Sequence, residues 1–234
     1  MLDQKTIDAD IKLAEGLYQQ DMDRAQNYFY DLIRGLKTIR TFPQGVTVFG
    51  SARVKENNRY YKLSRQLGQE LAKTGHAVTT GGGPGIMEAA NRGAFEYGGR
   101  SIGLNIVLPR EQTINPYLTD TLAFEYFFAR KVMLTMASKV FVFFPGGFGT
   151  LDEFSEILTL MQTNKMPRMP IFLIGKSFWK NLDKFFQKQM LPNRYIGAKD
   201  QRIYKITDNV MDVVKAANKI GHPLVGVNTY DGLR

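Results

Sequence analysis

Three short segments rich in glycine or small residues follow strand-like runs: Gly50-Ser51-Ala52, Gly81-Gly82-Gly83-Pro84-Gly85 and Pro145-Gly146-Gly147-Phe148-Gly149-Thr150. Glycine lets backbone come close to a ligand and turn its N–H groups inward, and a helix that follows adds unpaired donors and a partial positive charge. The third segment fits this best, since it joins the apolar run Val140–Phe144 to an amphipathic stretch. It would make a phosphate cradle. An equally open reading is a plain tight turn in which Thr150 is the N-cap and Glu153 the N3 partner of a capping box. Ser51 is a candidate ligand contact in the first loop, or simply the residue that ends a strand, and Gly83 is a candidate contact in the second loop. The chain has no cysteine and only two histidines, His76 and His222, far apart. That excludes disulfides, thiol catalysis and zinc-type spacing. Catalysis must then use carboxylates, Arg or Lys, hydroxyls or backbone, with no metal or cofactor called for.

Two better-known nucleotide signatures fail on inspection. A dinucleotide fingerprint on Gly83-Pro84-Gly85-Ile86-Met87-Glu88 places Glu88 where its third glycine belongs, and the next strand ends near Asn105 without a ribose-binding acid. Gly175-Lys176-Ser177 has the ending of a P-loop, but Pro170 stands where the first glycine is required. Glu88 itself, on the helix after this loop, reads either as a residue directed at the crevice or as a complement to the helix dipole.

The elements that must position these loops alternate. Strands are expected at Val46–Phe49, His76–Thr80, Ser101–Ile106, a weaker Phe124–Phe128, Lys139–Phe144, Ile171–Ile174 and Ile203–Ile206. Helices are expected at Tyr60–Lys73, Gly85–Tyr97, Arg130–Ala137, Leu151–Asn164, Phe178–Gln189 and Val210–Ile220. This is the pattern of an α/β fold, a Rossmann-like doubly wound parallel sheet with helices on both faces. In such a sheet the carboxyl ends of the strands share one crevice, where the three loops would converge. Residues 1–44 read as an N-terminal helical extension of one or two helices, with Ile7, Ile11, Leu13, Leu17, then Phe29, Leu32, Ile33 and Leu36 at helical spacing; its role is packing or subunit contact. Residues 45–222 are expected to form the sheet domain and 223–234 a loose tail.

The 234 residues suit one globular domain, and the apolar runs are too short for a membrane span. The start Met1-Leu2-Asp3-Gln4-Lys5 has no apolar leader segment, so a soluble cytoplasmic protein without membrane contact is expected. The net charge of +9 is concentrated in the second half, notably between Lys165 and Lys205. Lys176, Lys180, Lys184 and Lys188 recur every four residues, as on one solvated helix face. No nucleic-acid signature accompanies them, and the excess charge favours anionic small molecules instead.

Taken together in this order, Gly81–Ala89, the pair Arg130-Lys131, and Pro145–Glu153 resemble the LOG (Lonely guy) family of cytokinin-activating phosphoribohydrolases, many of them once labelled possible lysine decarboxylases. The resemblance covers roughly Val46 to Lys188, and the added N-terminal and basic C-terminal parts are similar to the longer, bacterial-type subgroup. It implies a Rossmann-like fold and a homodimer or larger homo-oligomer. The implied reaction is hydrolysis of the N-glycosidic bond of a nucleoside 5'-monophosphate, AMP or a cytokinin riboside 5'-monophosphate, to free base and ribose 5-phosphate. The site implied is Arg130 and Glu153 as catalytic residues, with Lys131, Gly146, Gly147, Gly149 and Thr150 binding substrate. Phe127-Phe128-Ala129 precede Arg130 where shorter members have more polar residues, which bears on base choice.

The chemistry is consistent with the residue types. Glycosidic cleavage passes through an oxocarbenium-like sugar, which a fixed carboxylate can stabilise, or beside which it can orient hydroxyls or activate water. In the first helical turn beside Arg130, Glu153 is expected to be ionised, suiting an electrostatic or general-base role. Arg130 does not readily release a proton and would serve phosphate or the departing base. Asp152 is expected to be solvated, and Met133, Met136 and Met161 to be packing residues. Decarboxylation would need an electron sink such as a PLP Schiff base, and no lysine stands in a recognisable setting for one. The rivals are a carrier that binds a nucleotide or phosphorylated cofactor without cleaving it, and nucleic-acid binding through residues 165–205.

Overall fold

Along the central strands successive side chains point to opposite faces, and this chain uses the alternation to fill two cores. Val46, Val48, Val140, Val142 and Phe144 enter one, and Phe49, Phe141 and Phe143 the other. Both faces are apolar, so the sheet must be covered twice. The computed structural model describes residues 4–107 and 113–221, with the side chains of 4–11, 13 and 14 left aside. His222, the tail 223–234 and the side chains of Ile7, Ile11 and Leu13 lie outside the described residues.

The strands are β1 (Gly45–Phe49), β2 (Val78–Thr80), β3 (Ser101–Ile106), β4 (Asp120–Phe124), β5 (Ser138–Phe143), β6 (Ile171–Ile174) and β7 (Tyr204–Thr207). They form one sheet in the order β4-β3-β2-β1-β5-β6-β7, every neighbouring pair parallel. The chain builds outward from β1 to one edge, then restarts beside β1 with β5 and builds to the other. The switch point therefore lies between β1 and β5, where an open α/β sheet binds its ligand. The helices are α1 (Gln4–Ile39), α2 (Arg59–Lys73), α3 (Ile86–Glu96), α4 (Phe127–Met136), α5 (Phe148–Gln162), α6 (Lys176–Phe185) and α7 (Met211–Ile220). Leu67 and Leu71 of α2, Ile86 and Ala90 of α3 and Val213 and Val214 of α7 cover one face. Met133 of α4, Phe154 and Ile157 of α5 and Trp179 of α6 cover the other. This is the expected Rossmann-like doubly wound α/β fold.

Several boundaries differ from expectation. The N-terminal segment is a single helix, α1, of 36 residues. The aromatic run Phe124–Phe128 is not a strand: β4 ends at Phe124 and α4 starts at Phe127. The cause is Asp31 of α1, whose Oδ2 accepts from the backbone N–H groups of Glu125 (2.9 Å) and Tyr126 (3.1 Å). Asp31 is 2% exposed, and its Oδ1 accepts from Arg34 Nη2 at 2.8 Å. Arg34 Nη2 also donates to the carbonyl of Ala123. A charged side chain thus captures donors that a further strand residue would have used. Close approach of α1 to α4 depends on Gly35, where a Cβ would fall 2.9 Å from Met133 Cγ and from Phe124 Cε1. Helix α5 begins at Phe148, three residues before the expected start, and α6 runs into a π-helical turn over Phe186–Met190. Among the described residues no helix is long and apolar enough to cross a membrane.

Candidate functional site

At the switch point a cleft of about 900 Å³ opens between the loop after β1 (Gly50–Val54) and the turn after β5 (Pro145–Thr150), with Gly81, Phe127, Arg130 and Glu153 also on its wall. That volume lies within the usual range for ligand sites. The two loops are tied together, as the N–H of Ser51 donates to the carbonyl of Pro145 at 3.1 Å and that of Ile86 to the carbonyl of Ser51 at 3.0 Å. Ser51 lies on the cleft wall, its Oγ accepting from the N–H of Arg53 at 3.1 Å.

The turn after β5 is the N-terminus of α5, capped by Gly147 without any side-chain cap. Thr150 is the third helical residue rather than the N-cap, so the capping-box reading does not apply. The glycines fall into two kinds. A Cβ on Gly146 would collide with the side chain of Thr150, so packing demands glycine there. Cβ atoms on Gly147 and Gly149 would meet nothing within 4 Å. Neither crowding nor a positive φ explains them, whereas a ligand seated against the turn would.

Arg130, on α4, is 9% exposed and reaches Glu153 Oε1 through Nη2 at 3.5 Å. Its guanidinium carbon lies 5.2 Å from the centre of the Phe127 ring, a cation–π contact, while its Nε has no hydrogen-bond partner. A Cβ on Gly81 would be 3.5 Å from Arg130 Nη1, so the guanidinium spans the space between the second glycine loop and Glu153. Burial draws the Arg130 pKa down, Glu153 and Asp152 draw it back, and an arginine remains cationic at neutral pH.

Glu153 departs from the ionised carboxylate expected. It lies in the second turn of α5, beyond the reach of the helix-end charge. Its side chain is 15% exposed, and burial lifts its pKa to about 7 against the opposing pull of Arg130. At neutral pH it is poised between its two protonation states, which suits proton transfer.

Lys131 does not reach the cleft wall. One position along α4 is about 100° around the helix, and its Nζ instead bridges Asp152 and Glu156 of α5, each at 3.1 Å. Desolvation weakens its charged form, but Glu156 and Asp152 together hold the pKa above the ordinary lysine value. Gly83 is buried off the wall, its carbonyl accepting from Asn115 Nδ2 at 3.1 Å; Gly81 takes the wall position. Glu88 also points elsewhere, accepting from Tyr61 Oη at 2.7 Å. Asp152 is exposed, and the methionines at 133, 136 and 161 pack in the core.

Sequence reasoning missed Arg53 and Phe178 on the wall, and Asp31, which supports α4 from behind. Arg53 stands two residues beyond Ser51 and was within reach of the same loop reading. Asp31 left a fainter mark, a charge in the stripe it shares with buried Gly35 and Ile39.

Comparison with known proteins adds a lineage to this geometry. A probable cytokinin riboside 5'-monophosphate phosphoribohydrolase, LOGL5 of Oryza sativa subsp. japonica, is 32% identical over 147 residues, 61% of this chain and 59% of that protein. The pyrimidine/purine nucleotide 5'-monophosphate nucleosidase of Escherichia coli strain K12 is 26% identical over 223 residues, 88% of this chain and 47% of that protein. The chain thus spans about half to three-fifths of the length of these two relatives. Among solved structures, the molybdenum cofactor carrier protein of Chlamydomonas reinhardtii superposes with a TM-score of 0.57 at 25% identity, covering 75% of this chain and 96% of that one. The family model described as "Possible lysine decarboxylase" matches residues 87–217. With that match over more than half its length, and with phosphoribohydrolases among its relatives, the chain belongs to the LOG family, the group that carries the possible lysine decarboxylase label.

Proposed function

We propose that this chain hydrolyses the N-glycosidic bond of a nucleoside 5'-monophosphate, AMP or a cytokinin riboside 5'-monophosphate, releasing the base and ribose 5-phosphate. The observation that carries the reading is Glu153, a buried acid with a pKa near 7 held against Arg130 on the wall that also bears an uncrowded glycine turn. The phosphate sits against the amides that open α5, the sugar lies beneath Glu153, and the base extends along the apolar wall past Phe127. Water adds to the anomeric carbon as the bond to the base nitrogen breaks. The bonding electrons leave with the base, and Glu153 takes a proton from the attacking water. Arg130 stabilises the charge that leaves with the base. The names of the relatives, a phosphoribohydrolase and a nucleotide nucleosidase, support the same class of reaction.

The decarboxylase label finds no support, because no lysine is among the described residues that line the cleft. A second reading, a carrier that binds a phosphorylated ligand and leaves it intact, is favoured by the likeness to the cofactor carrier. A carrier has no evident use for a proton-transferring acid beside the ligand. Incubating the purified protein with AMP and with isopentenyladenine riboside 5'-monophosphate separates the two. Free base and ribose 5-phosphate on chromatography are expected, and bound but intact nucleotide would make the protein a carrier.

A further inference from the structure

The cleft wall carries three charged residues among those described: Arg53, Arg130 and Glu153. Arg130 and Glu153 face each other at 3.5 Å, so the guanidinium of Arg130 is already directed at an acid of this chain. Arg53 is exposed, and its guanidinium has neither a hydrogen bond nor an ion pair among the described residues. Nearby cations differ in this respect. Arg59 stacks on Tyr60 at 4.6 Å and lies 3.9 Å from Asp208, and Lys131 is held by two acids of α5.

The backbone that bears Arg53 is nevertheless fixed. Its N–H donates to Ser51 Oγ at 3.1 Å, Ser51 is bonded to Pro145, and Val54 packs against the core. A fixed backbone with an uncommitted planar fork, next to a turn of unpaired amides, is what recognition of a phosphate requires. Arginine binds phosphate oxygens in a bidentate manner, and a phosphomonoester carries nearly two negative charges at neutral pH. The amides of α5 supply only partial charge.

From this charge inventory we infer that Arg53 closes on the 5'-phosphate from the β1 side of the cleft and selects monophosphates over nucleosides. The inference rests on the nucleotide reading above, and leaves Arg130 to the sugar and the departing base. Arg53→Gln and Arg53→Lys are compared with the unaltered protein by calorimetry with AMP, ribose 5-phosphate and adenosine, and by steady-state hydrolysis of AMP. In Arg53→Gln, affinity for AMP and for ribose 5-phosphate is expected to fall roughly 10- to 100-fold, with adenosine binding unchanged. KM for AMP rises in step while kcat stays within about threefold, and Arg53→Lys recovers part of the loss. Unchanged affinity for the phosphorylated ligands, or an equal loss for adenosine, overturns the assignment; so does an unaltered protein that binds neither phosphorylated ligand. If AMP is bound but not cleaved, the hydrolase reading fails alone, and the binding measurements still decide the role of Arg53.

Discussion

The two ends of the sheet treat buried charge in opposite ways. At the amino end, Lys139 of β5 is 4% exposed and His76 2% exposed. Lys139 Nζ donates to His76 Nδ1 at 2.9 Å and to the carbonyl of Gly221, and the other ring nitrogen, carrying the proton, lies 2.7 Å from Asn218 Oδ1. The group has turned inward and joins β5, the segment leading into β2 and the end of α7. At the carboxyl end, Arg130 and Glu153 are also buried, yet they share one long contact and leave the arginine Nε without an acceptor. A closed cluster of buried polar groups holds a fold together, whereas an unmet donor on a cleft wall leaves capacity to bind a ligand. Both lysine and glutamate are displaced toward neutrality by desolvation, so a shifted pKa alone does not distinguish structure from chemistry. The cleft does.

If that contrast is right, Glu153→Gln has the largest effect. Turnover of nucleotide should fall by about 10²- to 10⁴-fold, with AMP still bound and the unfolding midpoint little changed. In the unaltered protein kcat/KM should rise with pH and level off above about 7, because the ionised carboxylate accepts the proton from water. Normal turnover in the variant, or a profile that falls through pH 7, would break the assignment.

Lys139→Met tests the other end and should leave kcat/KM for AMP within about twofold. Its signature is in stability. Burial holds the folded-state pKa of Lys139 at about 8, below the ordinary lysine value of 10.5, so between those pH values the unfolded chain binds a proton that the folded chain does not. Stability therefore rises with pH across that window, by roughly 1–3 kcal/mol from this residue. Denaturant unfolding from pH 7 to 10 should show this increment in the unaltered protein and not in Lys139→Met. An identical slope in both would remove Lys139 as its source.

Gly149→Ala is the smallest effect and the sharpest in sign. Alanine is the better helix former, and nothing lies within 4 Å of its Cβ. The variant should gain roughly 0.5–1 kcal/mol of stability while KM for AMP rises severalfold. Gly146→Ala, which meets Thr150, should lose stability instead. A Gly149→Ala protein with unaltered KM would mean that no ligand approaches that position.

Much of this architecture is legible in the sequence because parallel strands buried on both faces are continuous apolar runs with little else to become; Val140–Phe143 and Ile171–Ile174 lie within β5 and β6, where the apolar pattern places them. The passage from β4 to α4 is not legible, because the carboxylate that decides it stands almost a hundred residues earlier. The glycine turn could be read from its composition, and its division into one glycine required by packing and two that are not could not, since the difference is the distance to Thr150. The protonation of Glu153 is not legible in the sequence, because a local view sees the helix end and the arginine, while burial of the side chain decides it. The direction of Lys131 was lost for a related reason: adjacency in sequence is divergence on a helix.

The pair of amides that Asp31 holds has a consequence for how this chain is divided. The family match begins at Met87, and a protein trimmed to that boundary would lose β1, β2 and α1 together. Even a cut just before β1 would free the backbone of Glu125 and Tyr126, and Arg130 amide donates to Tyr126 carbonyl one turn later at 3.1 Å. The leading helix, which a motif search would discard as an accessory, serves as the abutment against which the cleft arginine is aimed.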